Sequence, residues 1–297
     1  MSLAYSLSEY VIQIIAGLGN GALLFIVASG LTLIFGALRV INFAHGSLYL
    51  LGAYITVSLT SAIGFGNATF WIVIILAGLA VALGGVIFEV VAFRPIYRRP
   101  LMTQLLVTFA FVLMIAGIVR KVWGSEGEST PVPPFLEGGV KVLDGQIPKF
   151  QFFFLAVSIV VGITLWFILY RTGLGRMIRA AVSDPELLGL SGVNVRILFT
   201  GVFVLGSFFA GLAGGVVSLQ GFIGPGLGID AIILAFVIIV IGGLGSLSGA
   251  FIAAFLVGLA EALGILWVPQ ASLAIVFAVL VIVLALRPQG IRGARVA

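Results

Sequence analysis

Asn42, His45, Ser47 and Tyr49 stand in ALRVINFAHGSLYLLGAY, the strongest cluster of polar groups within an apolar stretch of this 297-residue chain. Arg39, Asn42, Gly46, Tyr49 and Ala53 fall three or four apart, which predicts one face of a helix with His45 beside it. Polar side chains at membrane depth cost free energy and face either a cavity or a neighbouring helix. Two readings stand for Asn42, His45, Ser47 and Tyr49: they line the path of a polar solute, or they hydrogen-bond at a helix interface. A third, His45 with Ser47 as an intramembrane serine hydrolase, lacks the Gly-x-Ser-x-Gly turn that exposes such a nucleophile.

Glu89 and Glu261 are acids near the ends of apolar windows. Buried in a bundle they would couple proton movement to transport; reaching the interface they would be solvated. Asp230 opens the apolar run after GFIGPGLGI and reads as a helix cap. No catalytic residue is assigned. A single His and no Cys leave too few ligands for a His- or thiolate-based metal site. Lys121, Lys141 and Lys149 follow Arg, Val and Pro, so no Gly-Lys phosphate-binding loop exists and the chain carries no nucleotide cofactor of its own.

The polar island RTGLGRMIRAAVSDPELLGLSGVNVR, residues 171–196, holds Arg171, Arg176, Arg179 and Arg196, which by the positive-inside tendency places it in the cytoplasm. Asp184 can cap a helix whose first turn is Pro185, Glu186 and Leu187, because Pro suits the first helical position and an acid there complements the helix dipole. Gly189 and Gly192 limit it to about two turns, roughly 10 Å, presenting Leu187, Leu188 and Leu190. So short a helix needs something to pack against. The segment Asp184 to Gly192 is therefore expected to be a docking surface.

These groups must be positioned by membrane-spanning helices. The chain is 62% hydrophobic and 8% charged, with a mean hydropathy of +1.31, far from ordinary soluble composition. The 40 Gly fit close helix approach in a bilayer. The formal net charge of +5 sits mostly in loops, where it suits anionic lipid or an acidic partner rather than nucleic acid. No basic segment precedes the first apolar run, so a cleaved signal peptide is not expected. The chain reads as one permease domain, 1–297, all-α and polytopic.

Apolar windows lie at 10–38, 41–60, 69–93, 101–123, 150–170, 197–219, 230–245, 247–266 and 271–286, nine crossings, with eight to ten compatible because the first window can hide a break at Gly19, Asn20 and Gly21. Nine crossings put Arg39; then Arg94, Arg98 and Arg99; the 171–196 island; and the tail 287–297 with Arg287, Arg292 and Arg295 on one side, the cytoplasm. SAIGFGNAT and the 124–149 loop then face outside with the N-terminus. The 230–245 window, about 24 Å as a helix, runs into GGLGSLSG and reads as either a discontinuous helix or a tight turn. Small residues recur every fourth position at Gly206, Ala210 and Gly214 and at Ala250, Ala254, Gly258 and Ala262, and are expected to pack helix on helix. The 124–149 loop, with Pro131, Pro133 and Pro134 and a Gly pair, suggests a hairpin that receives a partner or merely connects.

Three blocks in order, GLTLIFGALRVINFAHGSLYLLGAY, RTGLGRMIRAAVSDPELLGLSGVNV and FVIIVIGGLGSLSGAFIAAFLVGLAEAL followed by RPQGI, resemble branched-chain amino acid permeases of bacterial ABC importers, of the LivH type. Some relatives carry an acid where this chain has Ser47, and members serving amides, urea or other carboxylates share the blocks. The resemblance implies a bacterial inner-membrane subunit paired with a second, different permease subunit, docked on two cytoplasmic ATPase subunits that hold the ATP, and fed by a periplasmic substrate-binding protein. It implies that Asp184, Pro185, Glu186, Leu187, Leu188, Gly189, Leu190 and Gly192 form the coupling helix that inserts in an ATPase groove. The competing readings are an ion-coupled secondary transporter using Glu89 or Glu261, and an intramembrane enzyme around His45.

Overall fold

A computed structural model describes residues 6–64, 66–97 and 99–293; Phe65, Arg98 and Arg295, used above in reading loops and charges, lie outside them. The apolar windows become helices in the expected order: α1 (Leu7–Leu38), α2 (His45–Ile63), α3 (Asn67–Phe88), α4 (Leu101–Trp123), α5 (Lys149–Arg171), α8 (Val195–Val217), α9 (Leu227–Gly242), α10 (Leu247–Trp267) and α11 (Ser272–Leu286). Among the described residues, eight spans are long and apolar enough to cross a membrane, α3 by running on through Ile96 and α11 when counted from Pro269, and α9, with 16 residues, is the short ninth. Between α5 and α8 lie α6 (Gly173–Ser183) and α7 (Pro185–Leu190). α1 is continuous, so the suspected break at Gly19, Asn20 and Gly21 is absent. Its local i→i−4 hydrogen bonds hold through Gly because neighbouring helices press on it.

α1 is the axis of the bundle, apolar all round and buried against α5, α8, α9 and α10. The small-residue stripes set its distances. A Cβ added at Gly258 of α10 would lie 2.5 Å from the Gly17 carbonyl oxygen and 2.6 Å from Gly21 Cα, and one at Gly206 of α8 2.9 Å from the Gly30 carbonyl oxygen. Only a glycine backbone allows so close an approach, which maximises dispersion contact where no hydrophobic drive between helices exists. α3, α4, α5 and α11 instead keep broad apolar faces exposed, among them Leu83, Met102, Leu106, Ile163 and Leu286.

One end of the bundle gathers Arg39, Arg94 and Arg196 around a single cavity, and the tail returns to the same end, where Ile291 N and Arg292 N donate to the carbonyls of Ile241 and Gly242 at 2.8 and 3.0 Å. The opposite end carries two small antiparallel ribbons. β2 (Gly139–Val142) and β3 (Gly145–Pro148) form the expected hairpin, with Ile12 of α1 against Gly145. β1 (Glu128–Ser129) pairs with β4 (Phe222–Ile223), tying the loop after α4 to the loop between α8 and α9.

Candidate translocation site and docking helix

The turn after α1 is where the sequence expectation needs correcting. Arg39 adopts φ 52°, a left-handed conformation that stops the helix, and residues 40–44 are not helical. Arg39 and Asn42 therefore do not share a helical face with Gly46, Tyr49 and Ala53; spacing alone carried no sign of the left-handed residue. Instead the chain turns back into the bundle, burying Val40, Asn42 and Ala44, and α2 starts only at His45. His45 Nε2 donates to the Val27 carbonyl oxygen at 3.0 Å, as it must, since a carbonyl only accepts. Val27 precedes the end of α1 by eleven residues, so α2 begins about 16 Å above the Arg-bearing end. Irregular backbone at that depth is tolerated where it is enclosed by protein or lines a path.

All four candidate path residues are buried: Asn42 and His45 completely, Tyr49 and Ser47 nearly so. Among the described residues, both amide atoms of Asn42 and Nδ1 of His45 have no hydrogen-bond partner. The His45 ring sits at the α1–α8 crossing, where its Cε1 would lie 3.0 Å from a Cβ added at Gly30. Gly46 packs on Gly228 and Ile232, so the start of α2 overlaps the start of α9. Asp230 lies in the first turn of α9, whose capping position is Gly226; the expected Asp230 cap is corrected by one helical turn.

Glu89, read from sequence as a coupling or interfacial acid, is fully buried in a clamp. Pro95 lacks an N–H and crowds the preceding turn, and residues Glu89–Phe93 open into a π-helical turn before Arg94–Ile96 tighten to a 3-10 turn. That places Arg94 five residues on over its own Glu89, with Nη2 at 3.0 Å from Oε2 and Nε at 3.4 Å from Oε1. Tyr97 donates to Oε1 at 2.8 Å, and Thr200 of α8 donates to Oε2 at 2.8 Å while accepting from Arg94 at 2.8 Å. Burial first, and the carboxylate second, push the Tyr97 hydroxyl well above its ordinary pKa, which keeps it a donor. The Glu-x4-Arg-Pro spacing was the available signal, since i,i+5 partners meet on a π turn rather than an α turn. Glu261 is half-buried near the ribbon end of α10 and, among the described residues, joins no such group.

The expected docking helix is α7. Asp184 Oδ1 accepts from Glu186 N at 3.0 Å and Leu187 N at 2.9 Å, and Gly192 at φ +84° turns the chain away. Its six residues bury none of their own surface completely. Leu187 and Leu190 are 61% and 86% exposed, whereas Leu188 turns inward against the bundle core. α6 is the element not foreseen: Thr172 caps it, and Leu174, Met177, Ile178 and Ala181 seat it on the bundle. At its end Arg39 donates to the Val182 carbonyl at 3.4 Å. Arg39, Arg94, Tyr97, Ser183, Glu186 and Arg196 share the walls of one cavity of about 1010 Å³ beside α7. The Arg39 turn, the Glu89 clamp and α7 thus meet at one place.

Among the described residues, nine apolar helices around the buried turn at residues 40–44 define a polytopic membrane permease. The chain belongs to the family described as branched-chain amino acid transport system / permease component, whose model matches residues 13–286. It is 29% identical over 297 residues to the high-affinity branched-chain amino acid transport system permease protein BraD of Pseudomonas aeruginosa, covering 96% of each chain. To the permease protein LivH of Escherichia coli K12 it is 28% identical over 292 residues, covering 95% of this chain and 94% of LivH. Among solved structures, PsaBC from Streptococcus pneumoniae in complex with Fab aligns over 95% of this chain and 91% of its own with 14% identity and a TM-score of 0.43.

Proposed function

We propose that this chain is a membrane-spanning subunit of an ABC importer of the bacterial inner membrane, moving branched-chain or related amino acids that a periplasmic binding protein delivers to the ribbon end. On this reading the arginine-bearing end faces the cytoplasm, a second, different permease subunit completes the path, and two ATPase subunits supply the energy. The observation that carries the reading is α7: a capped, six-residue helix in this permease family that exposes Leu187 and Leu190 and has no use for them within the chain. α7 would act as a lever. Its displacement moves α6, α6 pulls on the Arg39 turn through Val182, and that turn leads directly into Asn42 and His45 on the path. The Glu89 clamp would hold α3 and α8 together during the stroke. A carboxylate already engaged by Arg94, Tyr97 and Thr200 has no free position for a coupling proton, which speaks against Glu89 as the coupling acid of the ion-coupled alternative.

The test replaces Leu187 and Leu190 together by Ala. Truncating a buried interface anchor typically costs about 2 kcal/mol or more, and two such losses weaken docking about a thousandfold at 1.4 kcal/mol per tenfold. The double variant should insert normally yet lose the ATPase on purification, and with it uptake and solute-stimulated ATP hydrolysis. Leu188→Ala should instead lower thermal stability, because Leu188 packs on its own bundle. Normal uptake and ATP hydrolysis in the double variant overturn the docking role.

A further inference from the structure

A groove of about 570 Å³ runs along the outside of the bundle between α5 and α10, away from the cavity beside α7. Its walls are Phe25, Ile159, Ile163, Phe251 and Ile252, and Gly162 opens its floor, a Cβ there standing 3.4 Å from the Phe25 ring. Ile159 to Tyr170 is eleven residues of helix, about 16 Å, which matches one leaflet of a roughly 30 Å hydrocarbon core. At the arginine-bearing end the lining changes to Trp166, Tyr170, Ser248 and Arg292. Arg292 Nη1 donates to Ser248 Oγ at 3.2 Å. Arg171 lies over the Trp166 ring at 5.3 Å and Arg179 over the Tyr170 ring at 5.4 Å.

The charges here have no acidic counterpart among the described residues. Residues 149–183, 240–260 and 287–293 contain no Asp or Glu. Among the described residues, none of Arg171, Arg179 and Arg292 has an acidic partner within ion-pair distance. Arg292 at the mouth of an apolar groove one leaflet deep, with Arg171 and Arg179 held over its Trp166 and Tyr170 rings and Arg179 also donating to the Leu169 carbonyl, asks for a molecule with an anionic head and a hydrocarbon tail. We propose that the α5–α10 groove binds an anionic phospholipid of the leaflet on the arginine-bearing side, its phosphate at Arg292 and Ser248 and one acyl chain along Ile163 and Ile159 toward Phe25. The site rests on the membrane fold and its charges, not on the solute or the ATPase, so it stands or falls separately from the transport reading.

Trp166 lines the groove and reports on it. With Trp71→Phe, Trp123→Phe and Trp267→Phe, the full chain is reconstituted in phosphatidylcholine vesicles containing a small fraction of either brominated phosphatidylglycerol or brominated phosphatidylcholine. One arginine near an anionic lipid is worth about fivefold in local preference, so Trp166 should be quenched at least about fivefold more effectively by the brominated phosphatidylglycerol. Arg292→Gln with Ser248→Ala should bring the two lipids to within about twofold, whereas Arg287→Gln, outside the groove, should change nothing. In parallel, with all Trp intact, the phosphatidylglycerol retained per chain after gentle extraction of the native assembly should fall severalfold in the Arg292→Gln, Ser248→Ala variant. Equal quenching by both lipids in the starting protein overturns the proposal. So does the absence of quenching by either, the result expected if a partner permease helix fills the groove, and so does unchanged lipid retention in the variant.

Discussion

At the scale of single residues, the most informative group is the Asn42 side chain, buried with neither amide atom engaged. An unsatisfied buried amide costs about 1–3 kcal/mol, and native structures keep few of them without a reason. Replacement by Leu, close in shape and apolar, removes that penalty. If Asn42 served only to tie helices together, Asn42→Leu would lose bonds and destabilise the chain. As there are no such bonds to lose, Asn42→Leu should leave the thermal midpoint of the purified permease unchanged or raised while lowering uptake per assembled complex at least about tenfold, equivalent to about 1.4 kcal/mol of lost solute interaction. Paired measurements of uptake and melting decide it: a loss of stability in proportion to uptake would return Asn42 to a structural role. His45 differs, because its Nε2 already serves the Val27 carbonyl and only Nδ1 is open.

At the scale of elements, the helices are set by how close their backbones can come. Gly258 meets the backbone of α1 at 2.5 Å from an added Cβ, so Gly258→Ala should push α10 off α1 and destabilise the bundle by about 1–3 kcal/mol, the usual penalty for overpacking. Gly117 of α4 has nothing within 4 Å of its added Cβ, and Gly117→Ala should be neutral or mildly stabilising through helix propensity. Thermal denaturation of the two variants in one detergent separates them; equal effects would mean the stripes do not set the packing. The stripes, the nine windows, the hairpin and the capped α7 were legible in the sequence because each rests on local chemistry: spacing of small residues, apolar run length, turn residues, and Asp184 before Pro185. α6 was partly legible, since Leu174, Met177, Ile178 and Ala181 already have helical spacing, but its arginines made the segment read as loop. The Arg39 turn and the inward orientation of Leu188 were not, because a left-handed Arg and the side of a two-turn helix that meets the bundle depend on tertiary packing.

At the scale of the whole molecule, everything about direction depends on α9. Its 16 residues rise about 24 Å against a core of roughly 30 Å, yet its N-terminal end overlaps α2 at Gly46 and its C-terminal end receives Ile291 and Arg292 from the tail. If α9 crosses, the crossings number nine, and Arg39, Arg94, Arg196 and Arg292 lie on one side, the cytoplasm by the positive-inside tendency. If it does not, the tail changes sides and its arginines face the wrong compartment. Because the chain has no Cys, single probes report cleanly. Ser129, Ser183 and Gln289 are exposed, the first in the loop after α4, the second at the end of α6 and the third in the tail. With a membrane-impermeant maleimide, Ser129→Cys should label in intact cells, whereas Ser183→Cys and Gln289→Cys should label only in inverted vesicles. Labelling of Gln289→Cys together with Ser129→Cys would reduce the crossings to eight and leave α9 as a re-entrant helix. Labelling of Ser183→Cys from outside would reverse the orientation and remove α7 from reach of any cytoplasmic ATPase.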